Sequence, residues 1–255
     1  MKIGILLGDD IGHEVVPECV KVMKAGAART GLAIEWQQLP IGKHGHEHHG
    51  DTLPAVTEKA LWALDGWIMG PIGHAAYPRN DPTWVMPPVR KKYDLFAAVR
   101  PSRSYPNVAS IHKDVDIVFV REVSEGMLYS ETVVAGSGEF RPNDDITVAM
   151  RVITRKGSNR VAREAFEIAR TRKRKKVTAA HKEPVYRLAC GMFAEECRKV
   201  AHEFPDVEFD EVLIDSISMK LVTNPQRFDV IVTTNQFGDI LTDIGAGLVG
   251  GMSPN

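Results

Sequence analysis

Two aspartates near the end of the chain form its most unusual pattern. The segment NQFGDILTDIGAG, residues 235–247, places Asp239 and Asp243 four positions apart among apolar and small residues. Residues four apart on an α-helix share a face, so both carboxylates point the same way and repel each other. A solvated face could tolerate them, but the stretch ILTDIGAGLVGG has no other charge and no basic partner within a turn. The pattern therefore predicts a positive charge that is missing from the sequence.

Three arginines lie beside apolar segments earlier in the chain. Arg90 and Arg100 fall in VRKKYDLFAAVRPSRS, and Arg121 directly follows the apolar run VDIVFV, with Tyr129 in the loop beyond. A guanidinium binds a carboxylate through two parallel hydrogen bonds, so three such groups suit a substrate with more than one carboxylate. Surface ion pairing is the alternative for the arginines taken alone.

A lysine, Lys182, stands at the end of another apolar run, in the segment VTAAHKEPV. Loss of water around an ammonium group at a strand end favours its neutral form, which can accept a proton. Lys182 is therefore a candidate general base. Lys182 taken alone is weak evidence for catalysis, and the inference depends on the segments around it.

Three further motifs have simpler explanations than ligand binding. The segment GAGLVG, residues 245–250, matches a dinucleotide fingerprint, but its glycines fall late in a predicted helix and indicate close helix packing. The basic run RTRKRKK, residues 170–176, is typical of a solvated helix end, where the helix dipole favours cations. A loop of alternating histidines does not fix ligand spacing, so a metal site is the less favoured interpretation there. These histidines are His44, His46, His48 and His49.

The composition excludes several classes of protein. With 32 basic and 33 acidic residues among 255, the net charge is -1, which disfavours nucleic-acid and membrane-surface binding and favours a small-molecule partner. Three cysteines without a CxxC pair predict neither a disulfide framework nor a zinc knuckle. The first residues lack a signal-peptide pattern, and no apolar run reaches membrane-spanning length. A cytoplasmic protein is expected.

Short apolar runs alternate with helical patterns along most of the chain, which predicts an α/β fold. The runs are KIGILL, LAIEW, GWIMG, VDIVFV, KVTAA, FDEVLID and FDVIVTTN. Residues 128–155, LYSETVVAGSGEFRPNDDITVAMRVITR, are instead rich in β-branched and turn-forming residues. They predict an antiparallel ribbon, an exposed arm of the kind that pairs with another subunit.

Taken in order, these segments resemble the isocitrate and 3-isopropylmalate dehydrogenase family, the metal-dependent β-decarboxylating dehydrogenases of 2-hydroxy acids. The resemblance runs from GDDIGHEV through RKKYDLFAAVRP, VREVSEGMLYS, AFEIARTR and AAHKEPV to NPQRFDVIVTTNQFGDILTDIGAGLVGG. It implies two α/β domains flanking a cleft, with a β-arm for dimerisation. The expected domains are residues 1–95 with 245–255, and residues 96–244.

The resemblance also implies a role for each candidate residue. The substrate carboxylates would be bound by Arg90, Arg100 and Arg121. The metal, Mg²⁺ or Mn²⁺, would be bound by Asp215, Asp239 and Asp243. The proton acceptor and the proton donor would be Lys182 and Tyr129. The lysine and one aspartate would come from the neighbouring subunit, so the enzyme would be at least a homodimer with shared active sites. The hydride would pass to NAD or NADP, for which the candidate binding residues are Asn235 and Ile11.

Three departures from the family pattern bear on this interpretation. The family's tyrosine lies seven residues after the arginine of the VRE strand, where this chain has Leu128, and Tyr129 comes one residue later. After the lysine, Glu183 and Pro184 stand where the family commonly has a small residue and an asparagine. The sequence also stops before the family's adenosine-binding segment, so the expected cofactor site is incomplete.

The implied function is NAD(P)-dependent oxidative decarboxylation of a malate-type 2-hydroxy diacid, such as a 3-isopropylmalate-like diacid, D-malate or isocitrate. Trp84, Met86 and Pro87 are apolar and disfavour a third substrate carboxylate, because burying an unpaired charge is costly. The departures motivate an alternative, a non-catalytic or regulatory subunit that binds metal and diacid without turnover. Retention of the lysine and all three aspartates favours the enzyme.

Overall fold

The computed structural model describes residues 1–73, 86–127 and 138–251, without the side chains of residues 86–88. The chain divides into two compact units, Met1–Val89 and Arg90–Asn255. The predicted return of the chain to the first domain near residue 245 stays a prediction. Two groups of sequence-based predictions lie outside the described residues. They are the acid position at Leu128 or Tyr129, and the side chains of Trp84, Met86 and Pro87.

The first unit contains a three-stranded parallel sheet in the order β2-β1-β3. Its strands are β1 (Lys2–Leu6), β2 (Glu35–Gln38) and β3 (Gly66–Met69). Its helices are α1 (Gly12–Thr30), α2 (Gly42–His49) and α3 (Ala55–Leu61). Gly31 ends α1 at a φ of 71°, a left-handed conformation that glycine adopts without steric cost.

The prediction of a loop for the histidine-rich segment is wrong, because these residues form helix α2. The buried carboxylate of Asp9 accepts a hydrogen bond from the amide of Lys43 at 2.7 Å and so caps the start of the helix. Gly50 ends the helix at a φ of 73°. Since the cap comes from 34 positions away, the local sequence could not reveal it.

The second unit is built on a five-stranded sheet in the order β4-β5-β10-β8-β9. Four strands are parallel, and β4 pairs antiparallel with β5 at one edge. The strands are β4 (Ala97–Arg103), β5 (Asp116–Glu122), β8 (Lys176–His181), β9 (Glu208–Leu213) and β10 (Val230–Thr233). The helices are α5 (Arg155–Thr171), α6 (Ala189–Glu203), α7 (Ile214–Thr223) and α8 (Asn235–Leu248), while α4 (Met86–Lys92) spans the division between the units. The predicted α/β class is confirmed.

The central strands of this sheet bury both faces. On one face, Val118 and Val120 of β5 belong to a core that includes α5 and α6. On the other face, Ile117 and Phe119 belong to a core that includes α7 and α8. Because successive side chains of a strand point to opposite faces, Arg121 shares the face of Ile117 and Phe119. The strand therefore directs Arg121 toward α8.

A two-stranded antiparallel ribbon, β6 (Glu139–Asn143) and β7 (Ile146–Ala149), confirms the arm within its described part. Gly126 and Val152, which stand on either side of the segment that carries the ribbon, form an isolated antiparallel bridge. Beside it, the buried Glu125 carboxylate accepts hydrogen bonds from the Thr154 amide at 2.9 Å and hydroxyl at 2.6 Å. Burial raises the pKa of Glu125, and the bonds from Thr154 oppose this rise.

The helix packing predicted for GAGLVG is confirmed at Gly245, where a Cβ would lie 2.5 Å from the Phe119 ring. The basic run does follow the end of α5, but Arg172 is not simply solvated, because its Nε donates to the buried Asp229 at 2.6 Å. All three cysteines are unpaired, as predicted. Over the described ranges, every helix is too short or too polar to span a membrane.

Candidate active site

The start of helix α8 holds Arg121 in place. The helix begins at Asn235, directly after β10, and the Asn235 side chain is buried. Its Oδ1 accepts hydrogen bonds from Nε and Nη2 of Arg121 at 3.0 and 2.6 Å, and its Nδ2 donates to the main-chain oxygen of Glu125 at 2.8 Å. Asn235 therefore fixes the plane of the guanidinium and ties it to the segment that follows β5.

The third side of this guanidinium faces Asp239. Nη1 of Arg121 donates to Oδ1 of Asp239, and the arginine side chain is 3% exposed while the aspartate is 49% exposed. Burial lowers the pKa of Arg121, Asp239 opposes that change, and Arg100 and Arg90 lower the pKa further. The three predicted arginines therefore lie in one electrostatic neighbourhood.

A second arginine faces the second aspartate of the helix. Arg100 pairs with Phe119 across the β4-β5 ladder, which places its side chain on the same face as that of Arg121. Its Nη1 donates to Oγ1 of Thr242 at 2.8 Å and lies 4.0 Å from Oδ1 of Asp243. Two strands therefore supply one arginine for each aspartate, partners that the local sequence does not show, and the predicted cation at these carboxylates stays a prediction.

Gly238 lets α8 approach the stem of Arg121. A Cβ at position 238 would lie 2.5 Å from Cγ and 2.8 Å from Cβ of Arg121. These atoms are near the root of a buried side chain, so they cannot move aside without shifting the strand or the helix. Glycine is therefore required here by packing.

We expect Gly238→Ala to destabilise the protein by about 2 kcal/mol, the usual cost of overpacking a filled site. The matched control is Gly247→Ala on the same helix, where a Cβ would meet nothing within 4 Å. That control should instead be neutral or stabilising, since alanine is the better helix former. Chemical unfolding of both variants measures the difference. Equal unfolding free energies would contradict the packing argument.

The lysine and the third aspartate lie at the ends of two neighbouring strands. Lys182 follows β8, and Asp215 lies in the first turn of α7 directly after β9. Nζ of Lys182 donates to Oδ1 of Asp215, with the two side chains 23% and 63% exposed. This hydrogen bond holds the pKa of Asp215 below its usual range. The pair forms a second charged group on the same unit.

The three predicted metal-binding aspartates do not converge within a single chain. Over the described ranges, three acidic, histidine or cysteine ligand atoms come within 4.8 Å of one another only at His181, Glu183 and Glu211. Asp239 and Asp243 are joined to arginines, and Asp215 is joined to Lys182. A triad of these carboxylates would therefore need a second chain, as the resemblance implies.

Comparison with known proteins decides the family. A family model described as isocitrate/isopropylmalate dehydrogenase matches residues 2–254. The chain belongs to this family. It is 38% identical to 3-isopropylmalate dehydrogenase of Archaeoglobus fulgidus over 98% of this chain and 72% of the relative. It is also 38% identical to isocitrate/homoisocitrate dehydrogenase of Thermus thermophilus, over 98% and 71%.

The fold comparison agrees with the sequence comparison. The crystal structure of isocitrate dehydrogenase from Methylococcus capsulatus matches with a TM-score of 0.84 at 38% identity, covering 98% of this chain and 71% of that one. The isocitrate/isopropylmalate dehydrogenase-like fold is therefore shown, including the mixed α/β architecture expected from the sequence.

The candidate cofactor-binding residues of this family member have different surroundings. Ile11 is exposed, immediately before α1. Asn235 is buried, and its side-chain amide is already bonded to Arg121 and Glu125. In this chain Asn235 therefore positions an arginine, whatever further contact it makes. The roles of Asn235 and Ile11 in cofactor binding stay predictions.

The cluster of His181, Glu183 and Glu211 is an ion-pair network rather than an open metal site. Arg198 donates to both carboxylates of Glu183 and Glu211, through Nη2 at 2.5 Å and Nε at 3.0 Å. Nδ1 of His181 accepts from the Glu183 amide at 3.1 Å, so Nε2 carries the proton toward Glu211, 3.1 Å away. With these atoms occupied, the network braces the strand end that carries Lys182.

Sequence reasoning named Asn235 only as a candidate cofactor-binding residue and missed Thr242 and Glu125. Asn235, Thr242 and Glu125 contact Arg121, Arg100 or the segment after β5, yet no spacing rule singles them out. Only the position of Asn235 gave a signal, since a polar residue between a buried strand and a helix start often caps or orients a neighbour.

Proposed function

We propose that the protein catalyses NAD(P)-dependent oxidative decarboxylation of a malate-type 2-hydroxy diacid. The observation that carries this proposal is the pairing of Arg121 with Asp239 and of Arg100 with Asp243. Two arginines and two aspartates have a formal charge of zero. A dicarboxylate and a divalent cation also sum to zero, so both can enter this group without creating an unpaired charge. Relatives named for isopropylmalate and isocitrate support the same chemistry.

The residues of this chain divide the work between binding and proton transfer. The Nη groups of Arg121 and the guanidinium of Arg100 exchange the aspartates for the two carboxylates of the substrate, because planar guanidinium groups bind carboxylates bidentately. Asn235 keeps the plane of Arg121 fixed during this exchange. Lys182, an ammonium group paired with Asp215, first releases one proton to water, and its neutral Nζ then accepts the proton of the substrate hydroxyl.

The aspartates fit a hard divalent ion. Asp239 and Asp243 are 49% and 64% exposed and present carboxylate oxygens from one helix face, the ligand type that Mg²⁺ and Mn²⁺ prefer. Asp215, 63% exposed, would complete the set from a second chain. When bound, the ion supplies a Lewis acid for the substrate oxygens, and the nicotinamide supplies the hydride acceptor.

The test is NAD(P)H formation by the full-length protein with Mg²⁺ or Mn²⁺, tried with isocitrate, 3-isopropylmalate, D-malate and tartrate. The expected result is metal-dependent turnover of at least one diacid. Calorimetry with the same diacids distinguishes the alternative, since diacid binding without turnover would favour a regulatory subunit. If the protein neither binds nor turns over any of these diacids, the proposal is overturned.

We also propose that a second copy of the chain completes the site. Helices α7 and α8 pack on the same face of the five-stranded sheet. Their apolar residues Met219, Val222 and Ile240 are more than half exposed. Met219 and Val222 are three positions apart on α7 and share a face. The three aspartates do not converge in one chain. A self-complementary contact between two copies through this apolar face would bury its apolar residues and bring the aspartates of the two chains together.

We expect Met219→Glu to convert a dimer into monomers, because each protomer would bury an unpaired charge in the contact. The matched control is Val22→Glu on α1, which replaces an apolar residue that is also more than half exposed. Sedimentation of both variants gives the mass. Wild-type protein that sediments as a monomer, or a control that dissociates equally, would contradict this interface.

A further inference from the structure

We propose a second metal site, on helix α2 of the first unit, formed by the imidazoles of His44 and His48. The two residues are four positions apart in the helix and therefore share a face. The centroids of their rings, not the nitrogens, lie 4.2 Å apart with 37° between the planes. An imidazole nitrogen lies about 2.0 Å from a bound zinc ion, so one ion can join two nitrogens up to about 4 Å apart. The pair has the spacing of a two-histidine chelate.

The hydrogen bonding of His48 leaves one ring nitrogen available to a metal. Its Nδ1 lies 3.0 Å from the main-chain oxygen of His44. A carbonyl oxygen can only accept, so Nδ1 carries the proton and Nε2 of the neutral ring keeps its lone pair. Metal-binding histidines almost always donate their other N–H to such a group, which fixes the ring orientation. This observation is independent of the spacing and identifies His48 as an oriented ligand.

The position of the pair suits a cation. His48 lies in the last turn of α2, where the helix dipole is negative. Both rings are exposed, so water can complete the coordination. The adjacent acid is Glu47, whose Oε1 lies 4.0 Å from Nζ of Lys43, and the site does not need it as a ligand.

The ligand type determines the class of ion. Imidazole nitrogen prefers Cu²⁺, Ni²⁺ and Zn²⁺, whereas Mg²⁺ and Mn²⁺ prefer carboxylate oxygen. The site is therefore separate from Asp239 and Asp243 in both unit and chemistry. Because the ion binds only the helical arrangement, binding also raises the unfolding temperature of the protein.

The experiment is calorimetric titration of the metal-stripped, full-length protein with Ni²⁺ and Zn²⁺ in excess Mg²⁺, which occupies the carboxylates. We expect one saturable site whose affinity falls about tenfold or more in His44→Gln and in His48→Gln. The control is His46→Gln, which lies roughly 200° around the helix from both residues and should change the affinity less than about twofold. The shift in unfolding temperature should disappear in the same two variants and persist in the control.

Two outcomes would overturn the proposal. One is the absence of saturable Ni²⁺ or Zn²⁺ binding in the presence of Mg²⁺. The other is an equal loss of affinity in His46→Gln and His48→Gln, which would show that histidines bind independently of their spacing. Glutamine is a good helix former, so all three variants should retain α2.

Discussion

Replacing Lys182 with methionine is expected to lower kcat by about 10²- to 10⁴-fold, the usual contribution of a positioned general base. Methionine keeps the length of the side chain and removes only the group that exchanges a proton. The ion pair with Asp215 has a solvent-exposed partner, so its loss should affect stability little. Steady-state kinetics with the diacid found in the substrate test measures the effect, and diacid binding should remain.

The control for this variant is Lys173→Met, in the exposed turn between α5 and β8. It should retain normal turnover.

A sharper control mixes Lys182→Met with Asp243→Asn protomers after joint refolding. If the two residues serve the same site from different chains, random pairing restores roughly a quarter of wild-type activity, because half of the dimers have one intact site. No restored activity would place both residues in one chain, and full activity of Lys182→Met alone would remove the lysine from the mechanism.

Arg121→Lys is expected to lower kcat/KM by about 100-fold, or roughly 2.7 kcal/mol of transition-state stabilisation. The single ammonium of lysine cannot donate to Asn235 with two N–H groups and to Asp239 with a third, as the guanidinium does. The buried Asn235 oxygen would lose its donors, so we expect a further loss of about 2 kcal/mol in the free energy of unfolding.

Arg100→Lys is the matched control for this second effect. Arg100 is 42% exposed and, among the described residues, makes one hydrogen bond, to Thr242, so the change should alter the free energy of unfolding by less than about 0.5 kcal/mol. Diacid affinity should still fall, because both arginines are proposed to bind carboxylates. Kinetics and urea unfolding of the two variants separate these effects. Equal destabilisation by both substitutions would contradict the role of Asn235 in fixing Arg121.

The apolar core could be predicted from the sequence because its signal is local. Strands β5, β8 and β10 are short apolar runs, and each lies where its run predicts. Strand β4 was missed, since AAVRPSR lies at a sheet edge, mixes polar with apolar residues and contains Pro101, which a central strand would exclude. Its strand state depends on β5, which supplies the missing pairing.

The charges of the site could be identified by residue but not paired. Arg121 and Asp239 are 118 positions apart, and no pattern in either segment indicates the other. The spacing of the two aspartates predicts a cation, but it carries no information about the arginines that tertiary structure brings to the same face. The helical state of the histidine segment was hidden for the same reason, because its cap is Asp9.

The closure formed by Glu125, Gly126, Val152 and Thr154 joins the two ends of the segment that carries both the ribbon and Tyr129, the predicted proton donor. A loop whose two ends are already joined can be lengthened or shortened at a small entropic cost, since that cost grows only with the logarithm of length. Ribbons of different reach can thus replace β6 and β7 within this segment while the arginines and aspartates keep their positions. Evolution can then change the neighbour that the ribbon meets independently of the diacid that the site selects.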